Sequence, residues 1–335
     1  MKIETVYVEI TNLCNLNCRT CYNRSGLNRI TKEISPNQLE YIYLRFQPYG
    51  MKRLLISGGE PSLHSKFHEI LALADKYPDL TLGIVTNGTN HDPVLINALN
   101  SKPNMTLQIS LDGASEEINQ KTRGTGNFEK ALGFAKQIRM NNIPRLKMVI
   151  SKYNLEDVEP FYRLAHSLEF QPEYAFIYRS GNACDDWEEK LLSANDKIHV
   201  LKLVDSLNKE LGGDAFLPRC TSKCPFTGDS HTFSLSIQVD GTIQPCQMLH
   251  DTQYSVGNVF YDDNDALFAA LENTERMAKK RMSIDYGCTR CFLKDTCGHG
   301  CMGAASVFAG DPLGDDGECS YRKSVFLGFD LNKIK

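Results

Sequence analysis

Along the first two thirds of the chain, short apolar runs of strand character alternate with longer stretches of helical periodicity. VYVEIT (6–11) is an alternating, β-branched run, as expected of a strand. RLLISG (53–58), TLGIVTNG (81–88), TLQISLDG (106–113), RLKMVIS (145–151) and EYAFIYR (173–179) are further strand candidates. Helical segments separate them. SPNQLEYIYLRF opens with Ser35 as N-cap, Pro36 at the first helical position and Gln38 closing a capping box. Helical periodicity returns near 66–76, 92–99, 128–142 and 156–168, and over a long amphipathic stretch from 187 to 211.

Six successive βα units predict an α/β fold with a parallel sheet covered on its faces. Right-handed crossovers would curl it into an open or closed barrel, and six units fall short of the eight of a full one. Sites in such folds form at the carboxyl ends of strands. A cysteine-rich stretch and the motifs SGGEP, TNG, SLDG, SKYN and RSGN all follow strand candidates here, which predicts one composite site. From about 213 the pattern changes. FSLSIQVDGTIQPC reads as a hairpin around a two-residue Asp240-Gly241 turn. Beyond it lie glycine, cysteine and aromatic residues with little helical periodicity, so the expected domains are 1–212 and 213–335.

Composition narrows the class. A net charge of −4 over 335 residues gives no electrostatic reason for a nucleic-acid partner. No apolar stretch approaches the roughly 20 residues of a membrane span. MKIETVYVEITN lacks a signal-peptide apolar region, so a cytoplasmic protein is expected. Twelve cysteines in a reducing compartment point to metal or to chemistry rather than to disulfides. Three lie in 14–21, one stands at 184, and eight fall between 220 and 319.

Cys14, Cys18 and Cys21 are spaced C-x3-C-x2-C in TNLCNLNCRTCYN. With a distant fourth ligand they would suit zinc. On an iron–sulfur cluster, which takes four thiolates, they would leave one iron with an open position for a cofactor or substrate.

This motif, placed just after the first strand, resembles the radical S-adenosylmethionine (SAM) enzymes. The resemblance implies a partial (β/α)6 barrel over about 1–212 and a 4Fe–4S cluster whose open iron is chelated by SAM. It also implies reductive cleavage of SAM to methionine and a 5′-deoxyadenosyl radical, which abstracts a substrate hydrogen atom. A reductant such as flavodoxin or ferredoxin is implied too. Thr20 departs from the aromatic residue often found before the third cysteine, and Tyr22 follows it instead. Gly58 and Gly59 of SGGEP would let the backbone approach a ligand. Glu60 would take the SAM ammonium, and Arg123 its carboxylate. Asn87, Ser110 and Asp112 would reach the ribose, with Ser151 and Asn154 after the fifth strand. Taken singly, each of these polar residues suits a turn or cap equally well.

The C-terminal cysteines are Cys220, Cys224, Cys246, Cys288, Cys291, Cys297, Cys301 and Cys319. Gly241 and Cys246 give G-x4-C, and the next four give C-x2-C-x5-C-x3-C. This resembles the SPASM extension of radical SAM enzymes, although the gap from Cys224 to Gly241 is longer than usual. The resemblance implies two auxiliary 4Fe–4S clusters. Cys220, Cys224, Cys246 and Cys301 would hold one, and Cys288, Cys291, Cys297 and Cys319 the other. Spacing alone also suits paired structural zinc sites.

Cys184, in RSGNACDDW, reads either as a hydrogen-atom donor at the barrel mouth or as a small buried hydrophobe, with Asp185, Asp186 and Gln247 within reach of the site. Gln247 stands where some SPASM enzymes carry an aspartate base, which argues against a sulfatase-maturing oxidation. The implied activity is peptide modification by crosslinking, epimerisation or oxidation. The alternatives are a small-molecule epimerase or dehydrogenase acting on an amino sugar or alcohol, and a non-enzymatic iron–sulfur electron-transfer or sensing protein. The last would need the cysteines but not SGGEP or SLDG. Because Cys14 comes so early, no recognition domain is expected before the barrel. A separate peptide-recognition protein or the barrel surface would take that role.

Overall fold

The computed structural model describes residues 1–26, 30–215, 224–228, 231–249, 251–285, 288 and 290–327, the side chains of 295 and 296 apart. Six parallel strands carry the first region: β1 (Lys2–Glu9), β2 (Arg53–Ser57), β3 (Thr81–Thr86), β4 (Met105–Ser110), β5 (Arg145–Ile150) and β6 (Gln171–Phe176). Each pairs with the next, from Val6 opposite Leu54 on β1 and β2 to Met148 opposite Tyr174 on β5 and β6. Alternation fixes the faces. Val6, Val8 and Ile10, like Leu54 and Ile56, are fully buried in the hydrophobic core, while Tyr7 and Leu55 between them are only half-buried.

Helices start where the chain supplies caps. Ser35 accepts from the Gln38 N–H and Gln38 returns the bond, with Pro36 opening the helix Pro36–Phe46. Asp92 caps Pro93–Ser101, and Ser193 with Asp196 forms a second capping box on Ala194–Leu211. The stretch expected at 128–142 is helical only over Asn127–Ala135. Ahead of it, Glu116–Arg123 is an unforeseen helix. It turns Asn119 and Thr122 inward, so its sequence has no apolar period to read.

The helix Ala194–Leu211 ends at Gly212, its left-handed C-cap. The sheet does not end there. β7 (Thr232–Ile237) returns to lie parallel to β1, with Val6 opposite Leu235 and Val8 opposite Ile237. β8 (Thr242–Gln244) and β9 (Gly257–Asn258) then add antiparallel, giving nine strands in the order β6-β5-β4-β3-β2-β1-β7-β8-β9. The hairpin turn is longer than two residues: Gly241, at φ 86, donates to the Gln238 carbonyl. One buried hydrophobic cluster runs from Ile3 and Val8 through Phe226 and Leu271 to Tyr321, so the two regions share a core.

A 20-residue helix, Asn264–Ser283, occupies a region expected to have little helical periodicity. Its buried positions are Leu267, Leu271, Thr274, Glu275, Ala278 and Arg281, half of them polar. Glu275 pairs with His231 at 2.9 Å, and Arg281 donates to the Gly314 carbonyl at 2.9 Å. Polar groups satisfied in the interior thus hide the helical period. No helix among the described residues is long and apolar enough to cross a membrane.

Candidate active site

The loop after β1 carries Cys14, Cys18 and Cys21, and loops from four other strands converge on it. Burial, above all, pushes the Cys14 thiol up to about 11 and Cys18 to about 12; Glu60 adds to the first and Asp112 to the second, while Arg123 pulls both down. Three thiols on one short loop form a soft donor set of the kind that iron–sulfur clusters take, since a bound cation deprotonates coordinating thiols outright.

The SGGEP loop supports this cysteine loop directly. Gly59 donates to the Thr11 carbonyl at 2.7 Å and Glu60 to the Leu13 carbonyl at 2.8 Å. A Cβ on Gly58 would fall 2.3 Å from the Thr11 oxygen, and one on Gly59 2.0 Å from the Leu13 oxygen. The close approach expected of these glycines is therefore, in this structure, to the cysteine loop. The Glu60 carboxylate is buried and accepts from the Ser62 N–H, Ser62 Oγ, Thr86 Oγ1 and the Asn87 N–H, the last at 2.7 Å. It fastens the β2 and β3 loops together. Asn87 donates from Nδ2 to Asn15 at 2.9 Å, tying the β3 loop to the cysteine loop.

Asp112 and Arg123, expected as separate SAM contacts, are paired with each other. Asp112 is fully buried, lies 2.9 Å from Arg123 Nε and accepts from Thr122 Oγ1 and the Val149 N–H. Arg19 of the cysteine loop donates its N–H to the Thr122 carbonyl at 2.8 Å. Ser151 and Asn154 are likewise buried: Asn154 Oδ1 accepts from the Ser151 N–H, and its Nδ2 donates to the Asp112 and Val149 carbonyls. Ser110 is half-buried at the end of β4. Asp112→Asn would leave the largely buried Arg123 cation without its counter-charge, a loss of about 3–5 kcal/mol. Thermal denaturation should show a lowered midpoint, partly restored in Asp112→Asn/Arg123→Met; an unchanged midpoint in the single variant would show that the pair is not load-sharing.

The β6 loop closes the ring. Ser180 Oγ donates to the Tyr22 carbonyl at 2.8 Å, the Asn182 N–H to the Cys21 carbonyl at 2.8 Å, and Asn182 Nδ2 to the Cys18 carbonyl at 2.9 Å. Sequence reading flagged RSGN only by its place after a strand, since such long-range contacts have no local signature. Two residues on, Cys184 is exposed rather than a buried hydrophobe. Asp185 pairs with Arg24 at 2.9 Å, and Asp186 lies 3.7 Å from Arg19, which also stacks over Tyr153.

Glu9 is a further residue that sequence reading passed over. It is buried at the end of β1 and lies 3.3 Å from the Tyr22 hydroxyl. Burial pushes its carboxyl up to about 7, against the pull of hydrogen bonds from Asn23 and Tyr22. Its one signal was a carboxylate following the alternating run Val6–Val8 at the end of the strand.

The C-terminal thiols fall into two neighbourhoods. Burial pushes Cys224 up to about 11 and Cys246 to about 12, each raised further by charge on Cys301. Burial also raises Cys288, with Cys319, Cys291 and Cys297 adding. Cys220 lies outside the described residues. Tyr178, just past β6, donates to the carbonyls of Met248 and Gly303, pinning the Cys246 and Cys301 loops to the barrel. Lys197 pairs with Glu318, and Phe176 packs edge-on to Tyr321 at 5.7 Å, docking the helix Cys319–Phe326 beside β6.

Comparisons with known proteins place this geometry. The model of the Radical SAM superfamily matches residues 8–165. The mycofactocin maturase MftC of Mycolicibacterium smegmatis is 27% identical over 323 residues, covering 93% of this chain and 81% of that protein. The PqqA peptide cyclase of Ruegeria pomeroyi is 25% identical over 333 residues, covering 93% and 86%. The AdoMet-dependent heme synthase of Methanosarcina barkeri is 25% identical over 347 residues, covering 94% and 95%. In fold, the chain matches the crystal structure of Streptococcus suis SuiB bound to S-adenosylmethionine with a TM-score of 0.74 at 16% identity, over 94% of this chain and 76% of that one.

Proposed function

The chain belongs to the radical SAM superfamily, and from that premise we propose that it is a peptide-modifying enzyme whose barrel mouth binds a 4Fe–4S cluster and SAM. When bound, the cluster and SAM supply a 5′-deoxyadenosyl radical that removes a hydrogen atom from the substrate. The family implies this cofactor pair. Cys14, Cys18 and Cys21 would hold the cluster, with Gly58, Gly59, Glu60, Asn87, Ser110, Asp112, Arg123, Ser151 and Asn154 forming the surrounding SAM site.

The observation that supports the proposal is the convergence of the β2, β3, β4 and β6 loops on the cysteine loop through hydrogen bonds of Gly59, Glu60, Asn87, Thr122 and Asn182. Such interlocking fixes the backbone that carries the three thiols. Pre-organised ligands of this kind are what a reactive cofactor needs from its protein. The peptide substrate is supported by the likeness to the PqqA peptide cyclase along most of both chains. The heme synthase likeness favours a second reading, a small-molecule substrate.

In the C-terminal region, 213–335, the proposal assigns two auxiliary 4Fe–4S clusters. One is on Cys224, Cys246, Cys301 and Cys220, the other on Cys288, Cys291, Cys297 and Cys319. The two thiol neighbourhoods support that division. A low-potential donor such as flavodoxin or ferredoxin and a peptide-recognition protein complete the system. The test is anaerobic incubation of reconstituted enzyme with SAM, dithionite and a short peptide encoded beside its gene. Formation of 5′-deoxyadenosine with a mass change in the peptide is expected; 5′-deoxyadenosine with an unchanged peptide would favour the small-molecule reading.

Cys184 is proposed as a hydrogen-atom donor to the substrate radical. It is exposed, on the same short segment that clamps the Cys21 carbonyl. Cys184→Ala should leave SAM cleavage at the wild-type rate and stop an epimerised product from forming. Unchanged product would remove the residue from the mechanism.

A further inference from the structure

Between the two C-terminal thiol neighbourhoods lies a buried ion pair. Asp316 is 3% exposed and Arg322 4%. Arg322 Nη1 donates to Asp316 Oδ2 at 2.6 Å and Nη2 to Oδ1 at 2.7 Å, a bidentate pairing. A third N–H, on Nε, is donated to Cys297 Sγ at 3.2 Å. Asp316 also reaches the other neighbourhood, since Oδ2 accepts the Cys301 N–H at 2.9 Å. Gly300 leaves room for the pair. A Cβ there would fall 2.1 Å from Asp316 Oδ2 and 2.5 Å from Arg322 Nη1, and its φ of +79° is one that favours glycine.

Arginine is suited to this position. Its planar fork satisfies the carboxylate with two N–H groups and still presents a third in a fixed direction. The compact ammonium of lysine cannot reproduce both contacts. An N–H donated to a coordinating sulfur draws charge from the thiolate and stabilises the more negative, reduced state of the cluster it holds. Because both partners are buried, water screens this interaction little.

We propose that Arg322, held by Asp316, is a positioning residue that raises the reduction potential of an iron–sulfur cluster on Cys288, Cys291, Cys297 and Cys319 through its Nε hydrogen bond to the Cys297 sulfur. The inference rests on the auxiliary-cluster reading above. It makes that cluster a better electron acceptor than four thiolates alone would, and it gives the buried pair a task beyond cohesion.

The test is an EPR-monitored redox titration of the full-length, reconstituted wild type, Arg322→Lys and Asp316→Asn/Arg322→Gln, with iron, sulfide and zinc measured for each. The double variant strands no buried charge, so it reports on the cluster even where the single one loads poorly. The expected result is wild-type iron content with the midpoint of one auxiliary signal moved to lower potential, the other signals staying in place. A fully loaded cluster with the wild-type midpoint in the double variant would overturn the role of Arg322 alone. Zinc in place of iron at these four cysteines of the wild type would overturn the auxiliary-cluster reading, and this inference with it.

Discussion

Cys14→Ala is expected to form no 5′-deoxyadenosine from SAM, while the iron content falls only from about twelve to about eight per chain. The two numbers belong together. Cys14 is one of three thiols on the loop after β1, and removing it leaves two ligands where a cluster needs at least three from the protein. The C-terminal thiols, to which the auxiliary clusters are assigned in the proposal, lie on separate loops beyond β6, pinned to the barrel by Tyr178 and Lys197 rather than by the cysteine loop. They should therefore load independently. Anaerobic reconstitution, iron and sulfide analysis, and chromatography of the dithionite-driven reaction give both readings from one preparation. Residual 5′-deoxyadenosine at a substantial fraction of the wild-type rate would remove Cys14 from its assigned role. Loss of all iron would instead show that the clusters depend on one another for assembly.

Much of this arrangement was legible in the chain. The six βα units follow from alternating strand runs and from caps such as Ser35 and Ser193, which act over three or four residues. The cysteine spacings are equally local. Contacts between distant loops left no such trace. Nothing near Asn182 announces that it will hold the Cys18 and Cys21 carbonyls, and Arg322 meets a sulfur 25 residues away in sequence. Buried polarity was harder to read. Asp112 and Arg123 stood out as separate cofactor contacts, and no local pattern announces that the two also pair with each other. In the helix Asn264–Ser283 the same effect concealed a whole element, because buried Glu275 and Arg281 interrupt the apolar stripe.

The second large effect is expected from a methyl group. Gly181 has φ +56°, and a Cβ there would fall 2.3 Å from the Tyr22 carbonyl oxygen and 2.4 Å from that of Cys21. Those are backbone atoms of the cysteine loop, so no side chain can swing aside. Gly212 supplies the control: it has φ +63° and nothing within 4 Å of the added carbon. Alanine at either position meets the left-handed penalty of about 1–2 kcal/mol. Only alanine at 181 must also push the cysteine loop away from the Ser180–Asn182 clamp. Gly212→Ala should lower the thermal midpoint modestly and keep full iron and full SAM cleavage. Gly181→Ala should in addition lose about four irons, the content of one cluster, and with it nearly all 5′-deoxyadenosine formation. If the two variants behave alike, the clamp is a passive contact. If they diverge as expected, the geometry of the radical site is set in part by the β6 loop, at the far edge of the parallel strands from the loop that carries its ligands.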